Sequence, residues 1–182
     1  MRWDVLRSEI IYRCRIFSLR RDHSRSPRTG ESHDFHVLEC ADWVNVVPLT
    51  ADRHVVMVRQ FRHGIRDLTL EVPAGLIDAA DPSPAVAALR ELREETGCVS
   101  PRIVPLGVVH PNPAMLNNRC HMFAAYDVEK VGAPEWDSTE ELAMETVPID
   151  RIPELIGDGT ISNALTVVAF HLFDLVQRRS PG

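Results

Sequence analysis

The chain has 182 residues, of which 45% are hydrophobic and 25% are charged. These proportions are typical of a globular protein and exclude a chain that is disordered throughout, and the length suits one domain with a sizeable core. The formal net charge is −6, which argues against nonspecific nucleic-acid binding because that activity depends on a basic surface.

The first half of the chain predicts a series of strands. Residues 5–21 mix β-branched and aromatic residues with arginines, which predicts one or two strands. Residues 22–34 are rich in Arg, Ser, His and Asp and predict a turn. Further apolar runs predict strands at residues 35–39, 43–49, 54–61 and 68–72.

A helix is predicted after these strands. Ser83 suits the N-cap, Pro84 suits the first helical position, and Gly97 suits the position just beyond the last turn. Apolar residues between them fall at i, i+3, i+4 and i+7 and form one stripe, which consists of Ala85, Ala88, Leu89 and Leu92.

The rest of the chain alternates between strands and helices. The pattern predicts strands at residues 103–109, 120–128 and 145–148, an acidic loop at 129–141, a short helix at 149–157 and an amphipathic helix at 163–177. Strands mixed with two or three helices predict an α/β or α+β sandwich.

The cysteines and the apolar segments indicate the compartment. The four cysteines, at positions 14, 40, 98 and 120, lie too far apart in sequence for a C-x-x-C metal or redox motif, so we expect free thiols in a reducing environment. The residues after Met1 lack the apolar segment of a signal peptide, and no apolar stretch approaches the roughly 20 residues of a membrane-spanning helix. We therefore expect a cytoplasmic protein without a membrane partner.

Three glutamates lie close together on the predicted helix. Glu91 and Glu95 are one turn apart and point the same way, Glu94 lies beside them, and all three border the apolar stripe. Like charges at this spacing destabilise an isolated helix by about 0.2–0.5 kcal/mol. A divalent cation such as Mg²⁺, which prefers carboxylate oxygens, would compensate them. The alternative is a solvated face on which Arg90 and Arg93 neutralise the acids.

The helix and the loop before it resemble the Nudix box, whose pattern is G-x5-E-x7-R-E-U-x-E-E-x-G-U, with U a bulky apolar residue. The matching residues are Gly75, Arg90, Glu91, Leu92, Glu94, Glu95 and Gly97, with Cys98 in the last apolar position. The chain departs from the pattern at Asp81, which stands where the first glutamate is usual. One extra residue separates Asp81 from Arg90, and it falls in the turn before the helix.

The resemblance extends to the ADP-ribose pyrophosphatases and related nucleoside-diphosphate-sugar hydrolases of this family. The residues that carry it are Val58–Arg62, Leu70–Gly75, Pro113, which lies fifteen residues after Cys98, and Gly159–Ala164 before the last helix. It implies an α/β fold, the Nudix α/β/α sandwich with a mixed sheet, plus a small N-terminal antiparallel sheet. Residues 1–45 would form this N-terminal sheet and serve dimerisation in a homodimer, and residues 46–182 would form the Nudix hydrolase domain.

The resemblance also implies a site for Mg²⁺, with Mn²⁺ as a possible substitute. The implied metal ligands are the backbone carbonyl of Ala74 and the carboxylates of Glu91, Glu94, Glu95 and Glu140. The same four glutamates are the predicted catalytic residues. Glu140, from the loop before the strand at 145–148, would act as the base or as an additional ligand, and Glu141 is the second choice for that role. Arg90 would form an ion pair that holds the helix against the loop.

Five residues are predicted to bind the substrate. Arg62 would contact the phosphates or the terminal ribose, and Arg59 belongs to the same matching stretch. Trp43 would stack on the base, the alternative being a tryptophan in the core or at a dimer interface. Asn112 and Asn118 would contact the distal sugar, the alternative being a role in turn formation.

The activity that the resemblance implies is Mg²⁺-dependent hydrolysis of a nucleoside diphosphate sugar to a nucleoside monophosphate and a sugar phosphate. ADP-ribose is the first candidate for this small-molecule substrate, and GDP-mannose or broad cleavage of nucleotide sugars and dinucleotides is the alternative. Two rivals from other classes are a non-catalytic module that senses ADP-ribose and a structural domain whose acidic helix binds a basic partner. The presence of Glu91, Glu94 and Glu95 favours the enzyme, because sensing modules usually lose acids from the box.

Overall fold

The computed structural model describes residues 1–136 and 141–179. The chain forms two compact units, one of Met1–Asp42 with His110–Arg119 and one of Trp43–Val109 with Cys120–Gly182. The predicted division at residue 45 assigned the segment 110–119 to the larger domain, whereas its contacts group it with the N-terminal strands. No described helix is long and apolar enough to cross a membrane.

The N-terminal unit is a three-stranded antiparallel sheet in the order β1-β2-β3. Its strands are β1 (Asp4–Arg13), β2 (Ser18–Arg25) and β3 (Ser32–Glu39). The prediction of a turn over residues 22–34 was therefore wrong at both ends, because β2 continues to Arg25 and β3 begins at Ser32. The polar residues of β2 suit a strand since they pair across it, as Arg25 does with Asp4 at 2.6 Å and Arg21 does with Glu9.

The larger unit contains the remaining elements. They are β4 (Trp43–Leu49), β5 (His54–Arg62), β6 (Asp67–Glu71), β7 (Ala74–Leu76), α1 (Pro84–Thr96), β8 (Cys98–Val99), β9 (Arg102–Val109), β10 (Cys120–Tyr126), β11 (Glu129–Lys130), β12 (Leu142–Pro148), a 3-10 helix (Ile149–Arg151), α2 (Ile152–Gly157) and α3 (Ala164–Arg179). The short strands β7, β8 and β11 were not predicted, because two or three residues are too few to show an apolar period.

The main sheet of this unit has the strand order β12-β5-β4-β10-β9, with β6 paired to β5 and β7 paired to β4. It is a mixed sheet, because β10 runs parallel to β4 while the other strand pairs of the sheet are antiparallel. Successive residues of β4 face opposite sides, so Val44 and Val46 pack toward α1 while Val47 packs toward α3. The fold prediction, an α/β sandwich with a mixed sheet and a small antiparallel sheet, is confirmed.

Helix α1 begins and ends where the sequence predicts. The Oγ of Ser83 accepts a hydrogen bond from the backbone N–H of Val86 at 3.3 Å. Gly97 has a φ of 69° and its N–H donates to the carbonyl of Arg93 at 2.7 Å. A Cβ at position 97 would lie 2.3 Å from the carbonyl oxygen of Gly132, so glycine is required here for both conformation and space.

Candidate active site

The three glutamates of α1 line one cavity of about 480 Å³, together with Ala74 and Gly75 from β7. Glu91 and Glu95 are buried, with 8% and 3% of their surfaces exposed, and Glu94 is half-buried. The side of α1 that faces the sheet is therefore broader than the predicted stripe, of which Ala88 and Leu92 are fully buried. Two carboxylates lie on the packed face of the helix, where the cavity opens. We call this the acidic cavity.

Gly75 is the reason that Glu91 fits against the loop. A Cβ built at position 75 would lie 2.1 Å from the carboxyl carbon of Glu91. Since no side chain tolerates such a distance, only glycine allows β7 and the Glu91 carboxylate to lie in contact. This is the physical reason for a glycine fifteen residues before Arg90.

Hydrogen bonds from two other segments of the chain hold Glu94 and Glu95 in place. The N–H of Ala74 donates to the Glu95 carboxylate at 3.1 Å. From the other side, the indole N–H of Trp136 donates to the carbonyl of Glu95 at 3.0 Å, and the N–H of Glu135 donates to the carbonyl of Glu94 at 2.7 Å. Glu135 also lines the acidic cavity, and sequence reasoning had assigned it no role.

Arg90 uses all of its N–H groups at the edge of the acidic cavity. Its guanidinium donates to the carbonyl of Leu76 at 2.9 Å, to Asp81 at 2.9 and 3.2 Å, to Glu91 at 2.8 Å and to Glu94 at 2.9 Å. Five bonds match the five donors of a guanidinium. The hydrogen bonds from Arg90 hold the pKa of Asp81 below its usual range. Arg90 thus joins the loop to the helix, as the resemblance implies.

The donor atoms of the acidic cavity suit Mg²⁺ chemically. Buried carboxylates are the ligands that this hard cation prefers, and Mg²⁺ keeps several waters, so one or two protein carboxylates are sufficient to bind it. Among residues 1–136 and 141–179, no three acidic, histidine or cysteine side chains are arranged so that they could by themselves hold an ion. Glu91, Glu95 and the backbone of Ala74 are the groups that could hold one, with substrate and water completing its coordination.

A second cavity, of about 350 Å³, lies next to the acidic cavity. Its lining consists of Trp43, Val44, Asn45, Arg62, Glu71, Ala74, Gly75, Leu76, Asn163 and Leu165. We call it the inner cavity. Arg62 and the three residues of β7 (Ala74–Leu76) line both cavities, so an elongated molecule could occupy the two together.

Arg62 is held in place by Glu71. The guanidinium donates twice to this carboxylate, at 2.7 and 2.6 Å, and Thr69 donates to it as well. Burial alone would raise the pKa of Glu71, which is 1% exposed, but the hydrogen bonds from Arg62, Thr69 and Asn163 outweigh it and hold the pKa below its usual 4.5. Sequence reasoning missed Glu71, although an acid between Leu70 and Val72 in a predicted strand could have indicated it.

Arg59 lies apart from Arg62. Residues 60 and 62 of β5 both line the acidic cavity, and side chains alternate along a strand, so Arg59 points to the opposite face. There its guanidinium donates to Glu145 on β12 at 2.5 Å. The structure places Trp43 and Arg62 at the cavities and does not bring Arg59 to them.

The remaining predicted residues do not line the described cavities. Asn112 is exposed, and its carbonyl accepts from two N–H groups in a turn. Asn118 is buried and its side-chain N–H donates to the carbonyl of Ala41 at 3.0 Å, so both asparagines contribute to the N-terminal unit. Glu140 lies outside the described residues, and Glu141 is exposed.

Comparison with known proteins agrees with the fold. The NUDIX domain family matches residues 41–165. An ADP-ribose pyrophosphatase of Mycobacterium tuberculosis is 30% identical over 166 residues, which cover 91% of this chain and 80% of that protein. A methanol dehydrogenase activator of Bacillus methanolicus is 26% identical over 172 residues, covering 94% and 92%. The crystal structure of an ADP compounds hydrolase superposes with a TM-score of 0.85 at 23% identity, covering 98% of this chain and 96% of that one.

These features define a protein that brings several carboxylates and two arginines, Arg62 and Arg90, to a cleft beside a mixed sheet. The chain belongs to the NUDIX family. It is a hydrolase of that family and acts on phosphoanhydride bonds. The family membership that the box residues predicted is thereby confirmed.

Substitution of Glu71 by glutamine should show that its charge stabilises the fold. Because the folded-state pKa of Glu71 lies below 4.5, its contribution is present above the unfolded pKa and is lost as the pH falls through the folded pKa. We expect Glu71→Gln to lower the free energy of unfolding by about 1–3 kcal/mol at neutral pH. The difference from the wild type should shrink below pH 4.5, as measured by urea denaturation across the acidic range.

Glu145→Gln is the matched control, because it removes an ion pair whose side chains are 33% and 38% exposed. Its effect should stay within about 1 kcal/mol. If the loss of stability in Glu71→Gln does not change with pH, the charge of Glu71 is not what stabilises the fold.

Proposed function

We propose that the protein catalyses Mg²⁺-dependent hydrolysis of the diphosphate bond in a nucleoside diphosphate sugar, with ADP-ribose as the first candidate. The observation that supports this proposal is that the acidic cavity and the inner cavity meet at Arg62 and Ala74–Leu76. A diphosphate bound at the junction would leave room for a nucleoside on one side. The products would be a nucleoside monophosphate and a sugar phosphate.

The chain's own residues would prepare the diphosphate for attack. Mg²⁺ would neutralise the phosphate oxygens and lower the pKa of water, with Mn²⁺ as a substitute. Glu91, Glu95 and the carbonyl of Ala74 would hold it. Arg90 keeps Glu91 and Glu94 in fixed positions through its bonds to both, and Arg62 would orient a phosphate oxygen. Glu140 is the proposed base or additional ligand.

Alternative substrates differ in the base and the sugar. GDP-mannose or broad cleavage of nucleotide sugars and dinucleotides is compatible with the same acidic cavity. The relative named as a methanol dehydrogenase activator does not indicate a substrate by its name. A module that senses ADP-ribose without cleaving it is less well supported, because the buried acids of α1 are all present.

We also propose that the protein is a cytoplasmic homodimer. The cysteines at positions 14, 40, 98 and 120 form no disulfide, which suits a reducing compartment. The N-terminal unit exposes many large apolar side chains, which are Met1, Trp3, Val5, Leu6, Ile11, Tyr12, Ile16 and Phe35. Exposed apolar patches of this kind mark protein interfaces, and a second copy of the chain would cover them.

A panel of substrates should test the reaction. We expect ADP-ribose with Mg²⁺ to release a monophosphate and a sugar phosphate, measured as inorganic phosphate after coupling to a phosphatase. GDP-mannose, UDP-glucose and dinucleotides would define the base and sugar preference, and a chelator should abolish the release. Activity on nucleoside triphosphates alone would contradict the proposed substrate class.

The substitution Glu95→Gln should separate catalysis from folding. Loss of one negative charge at a buried metal-facing position should lower kcat by at least about 100-fold, the scale typical of losing one electrostatic stabilising group. It should also weaken Mg²⁺ binding, measured by calorimetry. Glu145→Gln is the control and should retain full activity, because Glu145 pairs with Arg59 on the other face of β5. Unchanged turnover in Glu95→Gln would remove Glu95 from the site.

Light scattering should test the dimer. We expect a mass near twice the 20.5 kDa of the chain, and we expect Leu6→Glu to reduce it to the monomer by placing a charge in the interface. Leu68→Glu is a matched control, because Leu68 is also exposed but belongs to the larger unit. A monomeric mass for the wild type at micromolar concentration would contradict the proposal.

A further inference from the structure

The last turn of α1 is bound by a segment that follows β11 in the chain. We call residues 131–136 the capping segment. The last carbonyl groups of a helix have no partner within the helix. In α1 the carbonyl of Glu94 accepts from the N–H of Glu135 at 2.7 Å, and the carbonyl of Glu95 accepts from the indole N–H of Trp136 at 3.0 Å. The capping segment therefore binds the backbone of two residues whose side chains line the acidic cavity.

Gly97 binds the other end of the capping segment. Its carbonyl accepts from the N–H groups of Val131 and Gly132, at 3.0 and 3.2 Å. The segment is thus attached to the end of α1 at both of its own ends. Because these bonds join the same two pieces of backbone, the position of the last turn of the helix depends on the position of the capping segment.

Trp136 contributes a hydrogen bond that a purely apolar side chain could not make. Its side chain is partly solvated, with 43% of the residue surface exposed, so packing of the ring accounts for only part of its environment. An indole has one polar hydrogen, on its N–H, and no acceptor atom. That hydrogen is directed to the carbonyl of Glu95. A phenylalanine would place a ring at the same position and leave this carbonyl without its donor.

We propose that Trp136 is a positioning residue for the hydrolysis, which acts through its hydrogen bond to the Glu95 carbonyl on the carboxylates of Glu94 and Glu95. The bond fixes the backbone from which these side chains extend into the acidic cavity. A displacement of about 1 Å far from the reacting atoms is enough to slow a reaction that depends on placement. The inference rests on the proposed function, since that function assigns metal binding and catalysis to the same carboxylates.

Two substitutions separate the hydrogen bond from the packing of the ring. Trp136→Phe keeps a ring and removes the donor, whereas Trp136→Ala removes both. With ADP-ribose and Mg²⁺, we expect kcat to fall by about 3- to 10-fold in both variants and KM to stay within about 2-fold of the wild type. Trp3→Phe is the matched control, because Trp3 is 45% exposed and belongs to the N-terminal unit, and it should keep the wild-type kcat. Full turnover in Trp136→Phe, or a change in KM alone, would overturn the inference.

Amide hydrogen exchange tests the same bond without metal or substrate. We expect peptides that cover residues 92–97 to exchange about 3- to 10-fold faster in Trp136→Phe than in the wild type. Peptides from β1, β2 and β3 should exchange at the wild-type rate, and thermal unfolding should show that the variant is folded. Unchanged exchange in the last turn of α1, or an equal increase in every strand and helix, would overturn the inference.

Mg²⁺ binding and turnover by the wild type distinguish the possible failures. Calorimetry with Mg²⁺ alone should give a Kd about 3-fold higher in Trp136→Phe and an unchanged Kd in Trp3→Phe. If the wild type hydrolyses ADP-ribose and Trp136→Phe does so at the same rate, the positioning role alone is overturned. If the wild type hydrolyses no diphosphate compound, the proposed function is overturned, and the role of Trp136 in hydrolysis with it.

Discussion

Repulsion among carboxylates is the constraint on which the cleft depends. Glu91, Glu94 and Asp81 surround one guanidinium, that of Arg90, and Glu95 lies one turn beyond. Five carboxylates line the cavity against two guanidiniums, those of Arg62 and Arg90, so the cavity keeps a negative field. That field attracts a cation and would repel an anionic diphosphate in its absence. A lysine in place of Arg90 has three donors at one point and cannot span these acceptors.

The topology of the sheet explains why the two cavities adjoin. Strand β4 pairs with β7 at Val44 and Gly75, and its neighbour β5 carries Arg62 at its last position. Helix α1 packs on one side of β4 and α3 on the other. The acidic cavity therefore takes its carboxylates from α1, whereas the inner cavity takes Asn163 from the start of α3. Because both share β7, a small shift of Ala74–Leu76 would alter both.

Much of the fold and the acidic cavity followed from the sequence because their determinants are local. The spacing of Glu91, Glu94 and Glu95 on a helix, and the stop at Gly97, depend on residues within a few positions of one another. Arg59 was predicted to bind the substrate beside Arg62. Because the two residues are three positions apart on β5, their side chains lie on opposite faces of the strand. An acid in the predicted strand at residues 68–72 could be noticed in the sequence, but its partner Arg62 could not, because Glu71 and Arg62 become neighbours only through strand pairing.

The two cavities place opposite electrostatic demands on a ligand, and this contrast bears on which molecules fit. The acidic cavity requires the cation-bound, highly charged part of a molecule. The inner cavity pairs its one positive charge, on Arg62, with Glu71 and offers neutral donors beside Trp43. A compound with only phosphates would place charge against the apolar lining of Trp43, Leu76 and Leu165 and would bury none of that lining. A molecule that joins a diphosphate to a neutral, flat group satisfies both, and the proposed substrate class, a nucleoside diphosphate sugar, has this composition.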